Sequence, residues 1–474
     1  MEQKKQHFLL VTYPAQGHIN PVLHLARRLA AANGAAVTFS TAVSAHRRMF
    51  PSLAAPDDEV QDGPVAHIPF SDGFDEGFVA GTHDARQYLS QLRSLGSSSV
   101  SSILQRLRDR GRPVDCVVYT FFLPWAADVA RANGVPSAQY WIQPATVFAI
   151  YYHYFHGYSS LITTACSNSE EHPKSTIKFP CLPPLQARDL PSFLTVPPDD
   201  PSVVVLDMLK DTFDTLDRER ALSSSKPIVL MNTFAELEED ALSAVQDLAL
   251  IPIGPILSSS DAAGRDLFKL DEKGYMEWLD SKPRGSVVYV SFGSMTVLKK
   301  EQTEEILNGL RDSGRPYLWV LRRECRWEGL ELQDDDENGM VVEWCSQVEV
   351  LSHPSVGCFV THCGWNSTFE SLVCGVPTVG VPQWTDQGTN AMLAEKIWGT
   401  GVRGEANGEG VLEREELKRC LDLVMGEGES SVRIKKNVDL WRDKAREAMS
   451  AGGSSYQNLR KFVDGITKSG QTIF

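Results

Sequence analysis

The sequence has no long hydrophobic run and little positive charge. Its first apolar run, Phe8 to Val11, follows Lys4 and Lys5 but is too short for the core of a signal peptide, so we expect a buried strand there. No stretch approaches the roughly 20 apolar residues of a membrane helix, which predicts no membrane insertion. The formal net charge of −15 disfavours a nucleic-acid partner. A phosphate-bearing ligand would therefore be held by local dipoles and not by a general positive field.

Cysteine is also sparse, with nine residues in the chain and no CxxC pair. The odd count and the position of several cysteines in apolar patterns fit free buried thiols in a reducing compartment. We therefore expect a cytoplasmic protein without a disulfide framework. No cluster of His, Cys and Asp has the spacing of metal ligands, so the sequence predicts no metal and no cofactor.

Segments of strand and helix character alternate along most of the chain, which predicts an α/β fold with parallel, doubly wound sheets. A length of 474 residues favours two domains. Residues 251–264 are rich in Pro, Gly, Ser and Ala and are predicted to be a linker. The predicted domains are then residues 1–250 and 265–455, followed by a last helical segment in residues 456–474.

The segment from Trp344 to Gln387 carries the most informative pattern. Its middle holds a short apolar strand, Cys358 to Thr361, which turns through a glycine into a helical pattern from Thr368 to Cys374. The first amides of such a helix lack intrahelical partners, and the helix dipole favours negative charge beside them. Because His362 and Ser367 can add donors to the same oxygens, the pattern predicts a diphosphate site.

A purely structural interpretation of the same helix start exists, because Ser367 to Glu370 also matches a capping box. The surrounding residues favour a nucleotide sugar. Trp344 offers a face for a flat base, and Glu370 can accept hydrogen bonds from ribose hydroxyls. The side chains suited to a sugar are Trp365, Asp386 and Gln387. Loops at the carboxyl ends of parallel strands are where open α/β sheets bind ligands.

A histidine, His18, follows the first predicted strand. Residues 14–19 are predicted to form a loop, with Asn20 as the cap and Pro21 as the first residue of an amphipathic helix. Near a helix start the neutral imidazole is favoured over the cation, which suits a general base. A lone histidine in a surface loop is the alternative.

One motif points elsewhere. Residues 399–404 match the GxGxxG of dinucleotide-binding proteins. They follow a helical pattern instead of a strand, and no helix opens behind them, so a helix C-cap at Gly399 is the better interpretation. A nucleotide-dependent oxidoreductase is kept only as a remote alternative.

The segment 344–387 resembles the 44-residue signature box of plant family 1 UDP-sugar-dependent glycosyltransferases, with Trp at its start, HCGWNS in its middle and DQ at its end. The resemblance extends over nearly the whole chain through VTYPAQGHINP, VVYTFFLPWA, YWIQPATVF, NTFAELE and VYVSFGSM. These versions look most like the group with anthocyanin 5-O-glucosyltransferases and crocetin and carboxylate glucosyltransferases. The resemblance implies a GT-B fold, with two doubly wound domains facing across a cleft and the last helix packed back on the first domain.

The family also implies an inverting, metal-independent transfer from a UDP-sugar, and a terminal Gln in the box is associated with glucose donors. Carried over by position, Trp344 would stack on uracil, while the Cys345 backbone would read its edge. Gln347 and Glu370 would hold the ribose. The diphosphate would be bound by Ser294, His362, Asn366 and Ser367, with Gly364 also at the donor site. The sugar hydroxyls would meet Trp365, Asp386 and Gln387.

A DxD motif at residues 334–336 is better explained as a solvated acidic run.

The GHxxP pattern makes His18 the expected catalytic base. Many relatives have an orienting Asp where this chain has Thr120, and Thr or Ser where it has Ile142. A hydroxyl can orient an imidazole but cannot stabilise its cation as a carboxylate does, so Thr120 is a weak candidate for the orienting group and acidic acceptors are favoured. The expected acceptor wall, each member of which could instead be plain core, comprises Phe121, Phe122, Ile142, Phe148, Phe193 and Trp384.

The resulting hypothesis is a monomeric, inverting UDP-glucose glucosyltransferase that acts on a phenolic, flavonoid-like, or carboxylic acceptor and gives a β-glucoside. One alternative is C-glucosylation of a polyphenol, in which a ring carbon attacks after His18 has deprotonated a phenol. A second, suggested by Thr120, is a non-catalytic protein that binds nucleotide or flavonoid. Turnover of UDP-glucose with a phenol panel separates a binder from an enzyme.

Overall fold

The computed structural model describes residues 5–52, 58–79, 81–167, 176–197, 199–255, 267, 274–328, 330 and 338–468. Two sheets organise these residues, one in each half of the chain. The acidic run at 334–336 lies outside the described residues.

The first sheet has eight strands in the order β3-β4-β2-β1-β5-β6-β7-β8, and all neighbours are parallel except β3 and β4. Its strands are β1 His7–Val11, β2 Ala36–Ser40, β3 Val60–Asp62, β4 Val65–His67, β5 Cys116–Thr120, β6 Ser137–Trp141, β7 Ile228–Met231 and β8 Ala249–Pro252. The helices of this half are α1 Gln16–Asn33, α2 Val43–Met49, α3 Ala85–Asp109, α4 Trp125–Ala132, α5 Ala145–His153, α6 Ser159–Ser167, α7 Val203–Leu222 and α8 Glu239–Ser243, with a π-helical turn at Tyr154–Tyr158.

The second sheet has six parallel strands in the order β11-β10-β9-β12-β13-β14. Its strands are β9 Val287–Ser291, β10 Tyr317–Val320, β11 Gly339–Val342, β12 Val356–Thr361, β13 Thr378–Gly380 and β14 Gly401–Arg403. The remaining helices are α9 Tyr275–Asp280, α10 Lys300–Asp312, α11 Gln347–Ser352, α12 Trp365–Cys374, α13 Gln387–Met392, α14 Arg414–Met425, α15 Glu429–Met449 and α16 Ser454–Lys468, with a π-helical turn at Leu393–Ile397.

Strand β1 shows why the sheets are covered on both faces. All five of its residues are buried. Phe8 and Leu10 pack into the cluster that contains α1, whereas Leu9 and Val11 pack into the cluster that contains α3. Successive side chains of a strand point to opposite faces of the sheet. Where helices cover both faces, every residue of the strand is buried, and the strand is a continuous hydrophobic run in the sequence. The prediction of an α/β fold with parallel, doubly wound sheets is confirmed.

Helix α1 begins earlier than predicted. Val22, Leu25, Ala26 and Leu29 are all buried, as the periodicity indicates. The helix begins at Gln16, however, so Pro21 lies inside it and Asn20 is not its cap. The prediction of a loop over residues 14–19 is therefore wrong for residues 16–19. Pro21 lies in the second turn of the helix, where it leaves the Gly17 carbonyl without a helical N–H donor.

Helix α16 packs on the first sheet. The rings of Phe462 in α16 and Phe8 in β1 have centroids 6.0 Å apart. Gln6 donates a 2.7 Å hydrogen bond to the Val463 carbonyl. Strand β8 extends to Pro252 and so includes the first two residues of the predicted linker, most of which lies outside the described residues.

An apolar interface joins the two halves. Phe234 of the first half stacks on Phe369 of α12 with ring centroids 6.1 Å apart, and both are fully buried. The same cluster contains Trp365, Trp398 and Ala445. In the ranges that the structure describes, no helix combines the length and the hydropathy needed to cross a bilayer.

Candidate active site

A cavity of about 430 Å³ lies between the two halves. The first half contributes the β1–α1 connection and the exposed face of α1, together with residues after β5 and β6. The second half contributes the connections that follow β9, β11, β12 and β13. The cavity therefore lies at the carboxyl ends of both sheets, where parallel α/β sheets bind ligands.

His18 lies in the first turn of α1 and lines this cavity. Its ring stacks on Phe122 at 5.2 Å and lies 5.4 Å from the ring of Tyr13 and 5.1 Å from that of Phe121. This aromatic surround removes water from the imidazole, and burial lowers the pKa of His18 to about 3. The neutral ring is therefore the form present at ordinary pH, as a proton acceptor must be.

Thr120 does not orient His18. The Thr120 hydroxyl is fully buried and accepts a 3.3 Å hydrogen bond from the backbone N–H of Tyr13. His18 Nδ1 is buried and, within the described part of the chain, has no hydrogen-bond partner. The prediction of Thr120 as an orienting group is therefore wrong, because the hydroxyl is aligned with the β1–α1 connection instead. The other ring nitrogen, Nε2, is the one that we assign to the cavity lined by His18.

Backbone strain marks the turn after β12. Cys363 has φ 62°, which an L-residue with a side chain rarely adopts, whereas Gly364 has φ −58°. The turn that the sequence placed at the glycine is thus made by the cysteine. Its carbonyl accepts a 2.8 Å hydrogen bond from Asn390, which holds the strained residue in place. Helix α12 then begins directly at Trp365.

Two glycines make room for His362. A Cβ on Gly364 would lie 2.5 Å from His362 Nε2, and one on Gly293 would lie 2.9 Å from the same atom. The imidazole is thus inserted between the turns that follow β9 and β12. Burial lowers the pKa of His362 to about 4, so the ring is neutral and can donate only from its protonated nitrogen.

The capping-box alternative is wrong. Gly364 caps α12 without a side-chain bond, so Ser367 lies inside the first turn instead of at the cap. The Ser367 hydroxyl accepts a 3.0 Å bond from Gln347 Nε2, and Glu370 accepts a 2.7 Å bond from the same nitrogen. Gln347 also accepts a 3.2 Å bond from the Tyr289 hydroxyl. This network fixes the carboxylate predicted for the ribose, and it leaves the first amides of α12 to a ligand.

Trp365 differs from its prediction. Its indole N–H donates a 2.9 Å hydrogen bond to the Asn232 carbonyl, and its ring stacks on Phe369 at 4.7 Å. The side chain is 3% exposed and belongs to the interface core. The indole N–H is therefore already used, and the backbone amide is what Trp365 can offer to a ligand in the cavity.

Asn366 joins the two halves at this point. Its side-chain amide donates a 3.1 Å hydrogen bond to the Gly17 carbonyl, in the residue before His18. Pro21, which has no N–H, stands four residues after Gly17 and cannot make the helical bond to that carbonyl. The proline thus exposes an acceptor, and the start of α12 uses it.

Asp386 and Gln387 lie in the loop after β13 and line the cavity. Asp386 is buried and accepts 2.8 Å bonds from Thr385 and Asn390, while burial raises its pKa. Gln387 Oε1 accepts bonds from the backbone N–H groups of Gln383 at 2.8 Å and Trp384 at 3.0 Å. The Gln387 amide nitrogen is therefore the end of the side chain available to a ligand.

The remaining donor positions line the same cavity. Trp344 is half-buried at its edge and Cys345 is buried beneath it, with its thiol 3.4 Å from the Tyr289 hydroxyl. The Ser294 carbonyl accepts a 2.7 Å bond from Arg322 Nη1, and Thr296 accepts a 2.6 Å bond from Nη2. The sequence patterns did not predict this role of Arg322. Its position two residues after the end of β10 was a signal, but its partners lie 26 and 28 residues earlier.

Five of the six predicted acceptor residues line the cavity. They are Phe121, Phe122, Ile142, Phe193 and Trp384. Phe148 does not, because its ring is fully buried beneath Trp141 and packs against Phe213, with centroids 5.0 and 5.1 Å away. Leu190, three residues before Phe193, is buried in the interface core. Tyr13, Gln16 and Gln143 line the cavity and were missed. Within the described residues, no group of three His, Cys, Asp or Glu side chains is placed to hold a metal ion.

Comparison with known families and proteins agrees with this geometry. The family model described as UDP-glucoronosyl and UDP-glucosyl transferase matches residues 269–441. The chain is 46% identical to crocetin glucosyltransferase, chloroplastic, from Gardenia jasminoides, over 99% of both chains. It is 47% identical to phloretin 4'-O-glucosyltransferase from Malus domestica, over 97% of both. It is 44% identical to anthocyanidin 3-O-glucoside 5-O-glucosyltransferase 1 from Perilla frutescens, over 98% of this chain and 100% of that protein.

Solved structures give the same result. The crystal structure of Os79 from O. sativa in complex with UDP matches with a TM-score of 0.82 and 33% identity, covering 97% of this chain and 100% of the other. Phytolacca americana UGT2, complexed with UDP-2fluoro-glucose and pterostilbene, matches with a TM-score of 0.79 and 25% identity, covering 98% and 100%.

Proposed function

This chain belongs to the plant family 1 UDP-glycosyltransferases, and from that premise we propose that it transfers glucose from UDP-glucose, with inversion, to a phenolic or carboxylic acceptor and gives a β-glucoside. It is an enzyme with the GT-B fold, a UDP-glucosyltransferase of small molecules in plant secondary metabolism. The proposal concerns the acceptor class, the stereochemistry and the residues that perform the transfer.

One observation carries the proposal. His18 and the first turn of α12 line a single cavity, and the Asn366–Gly17 hydrogen bond joins the two. A base from one half therefore faces a ready-made anion site from the other. A UDP-sugar laid along this cavity would have its diphosphate at the amides of α12 and its anomeric carbon toward His18.

The reaction then follows from the residues. A phenolic acceptor gives its proton to His18 Nε2, whereas a carboxylic acceptor is already ionised at ordinary pH. In either case an oxygen lone pair attacks the anomeric carbon on the face opposite the leaving group. The bond from that carbon to UDP breaks, and UDP leaves with the electron pair. The amides of residues 365–367, with His362 and Ser367, stabilise the departing diphosphate. The cavity's alignment of donor and acceptor supplies much of the rate.

Two features favour an acidic acceptor. Burial lowers the pKa of His18 to about 3, and His18 Nδ1 lacks a carboxylate partner in the described chain. Both make the imidazole a weak proton acceptor. Phenols and carboxylic acids ionise more readily than alkyl alcohols, so they need less from the base. The aromatic wall of Phe121, Phe122 and Phe193 suits a flat ring. The relatives named for phloretin and for crocetin support both classes.

The test is an acceptor screen in which each product is identified. The purified chain is incubated with UDP-glucose and a panel of flavonoids, phenolic acids and aliphatic alcohols, and UDP release is measured. We expect turnover of phenols or acids and products whose anomeric coupling is that of a β-glucoside. Acid hydrolysis then distinguishes an O-glucoside from a resistant C-glucoside. Turnover of alkyl alcohols alone, or an α-linked product, would contradict the proposal.

His18→Ala is the matched variant for the base. It should abolish turnover while UDP still binds, because the donor residues lie in the other half. Normal turnover by this variant would refute the role of His18. Thr195→Ala, which removes an exposed hydroxyl, serves as a control.

We also propose that the enzyme acts as a cytoplasmic monomer. The cysteines whose side chains are described are free, as in a reducing compartment. The Gardenia relative is named as chloroplastic, so fractionation of the tagged full chain is the deciding experiment. Light scattering of the purified protein tests the monomer.

A further inference from the structure

Ser192 and Thr385 bond each other reciprocally across the interface of the two halves. The Ser192 N–H donates a 2.8 Å hydrogen bond to the Thr385 carbonyl, and the Thr385 N–H donates a 2.7 Å bond to the Ser192 hydroxyl. Ser192 does not line the cavity. Its sequence neighbour Phe193 does line the cavity, and so do its bonding partner Thr385 and the next residue, Asp386.

Thr385 is held in an unfavourable conformation. Its φ of 60° lies in the left-handed region, which costs a residue with a branched side chain on the order of 1–3 kcal/mol. Such a conformation persists only where the surroundings fix it. The two hydrogen bonds between Thr385 and Ser192 fix it here. In that conformation the Thr385 hydroxyl donates a 2.8 Å bond to the Asp386 carboxylate, so the position of Asp386 depends on Thr385.

The segment that carries Ser192 is itself anchored to the second half. Asp189 is fully buried and its carboxylate accepts a 2.9 Å bond from Arg403. The Asp189 carbonyl accepts a 2.6 Å bond from the Thr389 hydroxyl. A Cβ on Gly388 would lie 2.6 Å from the Arg188 carbonyl, so the two backbones are in direct contact. Ser192 is thus presented to Thr385 from a fixed base.

The acceptor wall is coupled to the same bonds. Phe193 meets Trp384 edge to face, with ring centroids 6.1 Å apart. Each residue is adjacent in sequence to one member of the Ser192–Thr385 pair. A shift of the loop that carries Asp386 and Gln387 therefore also shifts the wall against which an acceptor ring would lie.

From these contacts we infer that Ser192 is a positioning residue that sets the sugar-binding loop, Trp384 to Gln387, from the acceptor side, and that it thereby determines discrimination between UDP-sugars. The inference rests on the proposed glucosyl transfer. Sugars that differ in the orientation of one hydroxyl are distinguished by a fixed pattern of donors and acceptors. A loop freed to relax would lose that pattern.

The experiment compares kcat/KM for UDP-glucose and UDP-galactose in wild type, Ser192→Ala and Ser192→Thr with one acceptor. Ser192→Ala removes the hydroxyl that Thr385 N–H needs. It should lower kcat/KM for UDP-glucose about tenfold and reduce the glucose-to-galactose ratio by a similar factor, with the Kd of UDP unchanged. Ser192→Thr retains the hydroxyl and should restore both values to within about threefold of wild type.

Thr195→Ala is the matched control, because its hydroxyl bonds the Ser192 carbonyl within the same turn and does not reach the second half. It should leave the sugar ratio unchanged. Equal losses for both sugars in Ser192→Ala, or an unchanged ratio, would overturn the inference. A wild-type chain that releases no UDP with any acceptor would instead overturn the proposed function, so the two failures are distinguishable.

Discussion

The side-chain amide of Asn366 bonds the carbonyl of Gly17, one residue before the proposed base, and Pro21 is what leaves that carbonyl without a helical partner. Two sequence features 345 residues apart, Pro21 and Asn366, thus meet in one hydrogen bond. The contact ties the start of α1, where His18 lies, to the start of α12.

Pro21→Ala tests this relationship. An alanine N–H at position 21 would compete with Asn366 for the Gly17 carbonyl. We expect a higher melting temperature, because proline inside a helix costs about 3 kcal/mol, and a kcat/KM about tenfold lower. In an Asn366→Ala background the proline substitution should have no further effect on kcat/KM. Independent, additive losses would show that the two residues do not act through one contact.

The pH dependence of kcat/KM tests the protonation of the base. Burial lowers the pKa of His18 to about 3 and that of His362 to about 4, so protonation of either ring requires a pH far below 6.5. Both rings are neutral at pH 5 and above. With an acceptor that does not titrate in this range, kcat/KM should show no acid limb between pH 5 and 7. A tenfold fall per pH unit below about 6.5 would mean that His18 has an ordinary pKa.

Thr120→Asp tests the missing orienting group. An aspartate carboxylate reaches one atom farther than the Thr120 hydroxyl. We therefore expect it to accept from the unpartnered His18 Nδ1 and still to accept from the Tyr13 N–H. It would raise the basicity of the imidazole, so the ratio of alkyl-alcohol to phenol turnover should rise about tenfold or more. Thr120→Asn has a similar shape without the charge and should leave the ratio near the wild-type value. An unchanged ratio in the Asp variant would show that proton transfer does not limit acceptor choice.

The pair Phe148→Ala and Phe193→Ala separates core from acceptor wall. Phe148 is fully buried away from the cavity, so its truncation should cost about 3–5 kcal/mol of unfolding free energy and leave the acceptor KM of the folded enzyme unchanged. Phe193 lines the cavity, so its truncation should raise the acceptor KM about tenfold with a smaller loss of stability. Urea unfolding and acceptor titration measure the two effects. A raised acceptor KM in Phe148→Ala with an unchanged KM in Phe193→Ala would instead place Phe148 in the acceptor site.

The sequence predicts those parts of the site that are local in the chain. The strand before His18, the strand–helix turn at His362 and the residues that close the box all lie where the pattern indicates. Predictions fail where a side chain's partner is distant. Trp365 bonds a carbonyl 133 residues earlier, and only the fold reveals that its indole is already used.

A local sequence pattern also cannot predict whether an aromatic side chain points into the core or into the cavity. Phe148 and Phe193 are both aromatic residues in apolar surroundings, and sequence gives no reason to separate them. The structure does, because α5 places Phe148 under Trp141 whereas the anchored segment at Ser192 directs Phe193 into the cavity. The predicted start of α1 was wrong for a related reason. The donor that replaces the missing Pro21 N–H at the Gly17 carbonyl is Asn366, which comes from the other half of the chain.

The most direct measurement is a crystal structure of the enzyme with UDP and a phenolic acceptor. This mechanism requires the diphosphate on the amides of residues 365–367 and the acceptor oxygen within about 2.6–3.2 Å of His18 Nε2. UDP bound away from the start of α12, or an acceptor oxygen out of reach of His18, would contradict it.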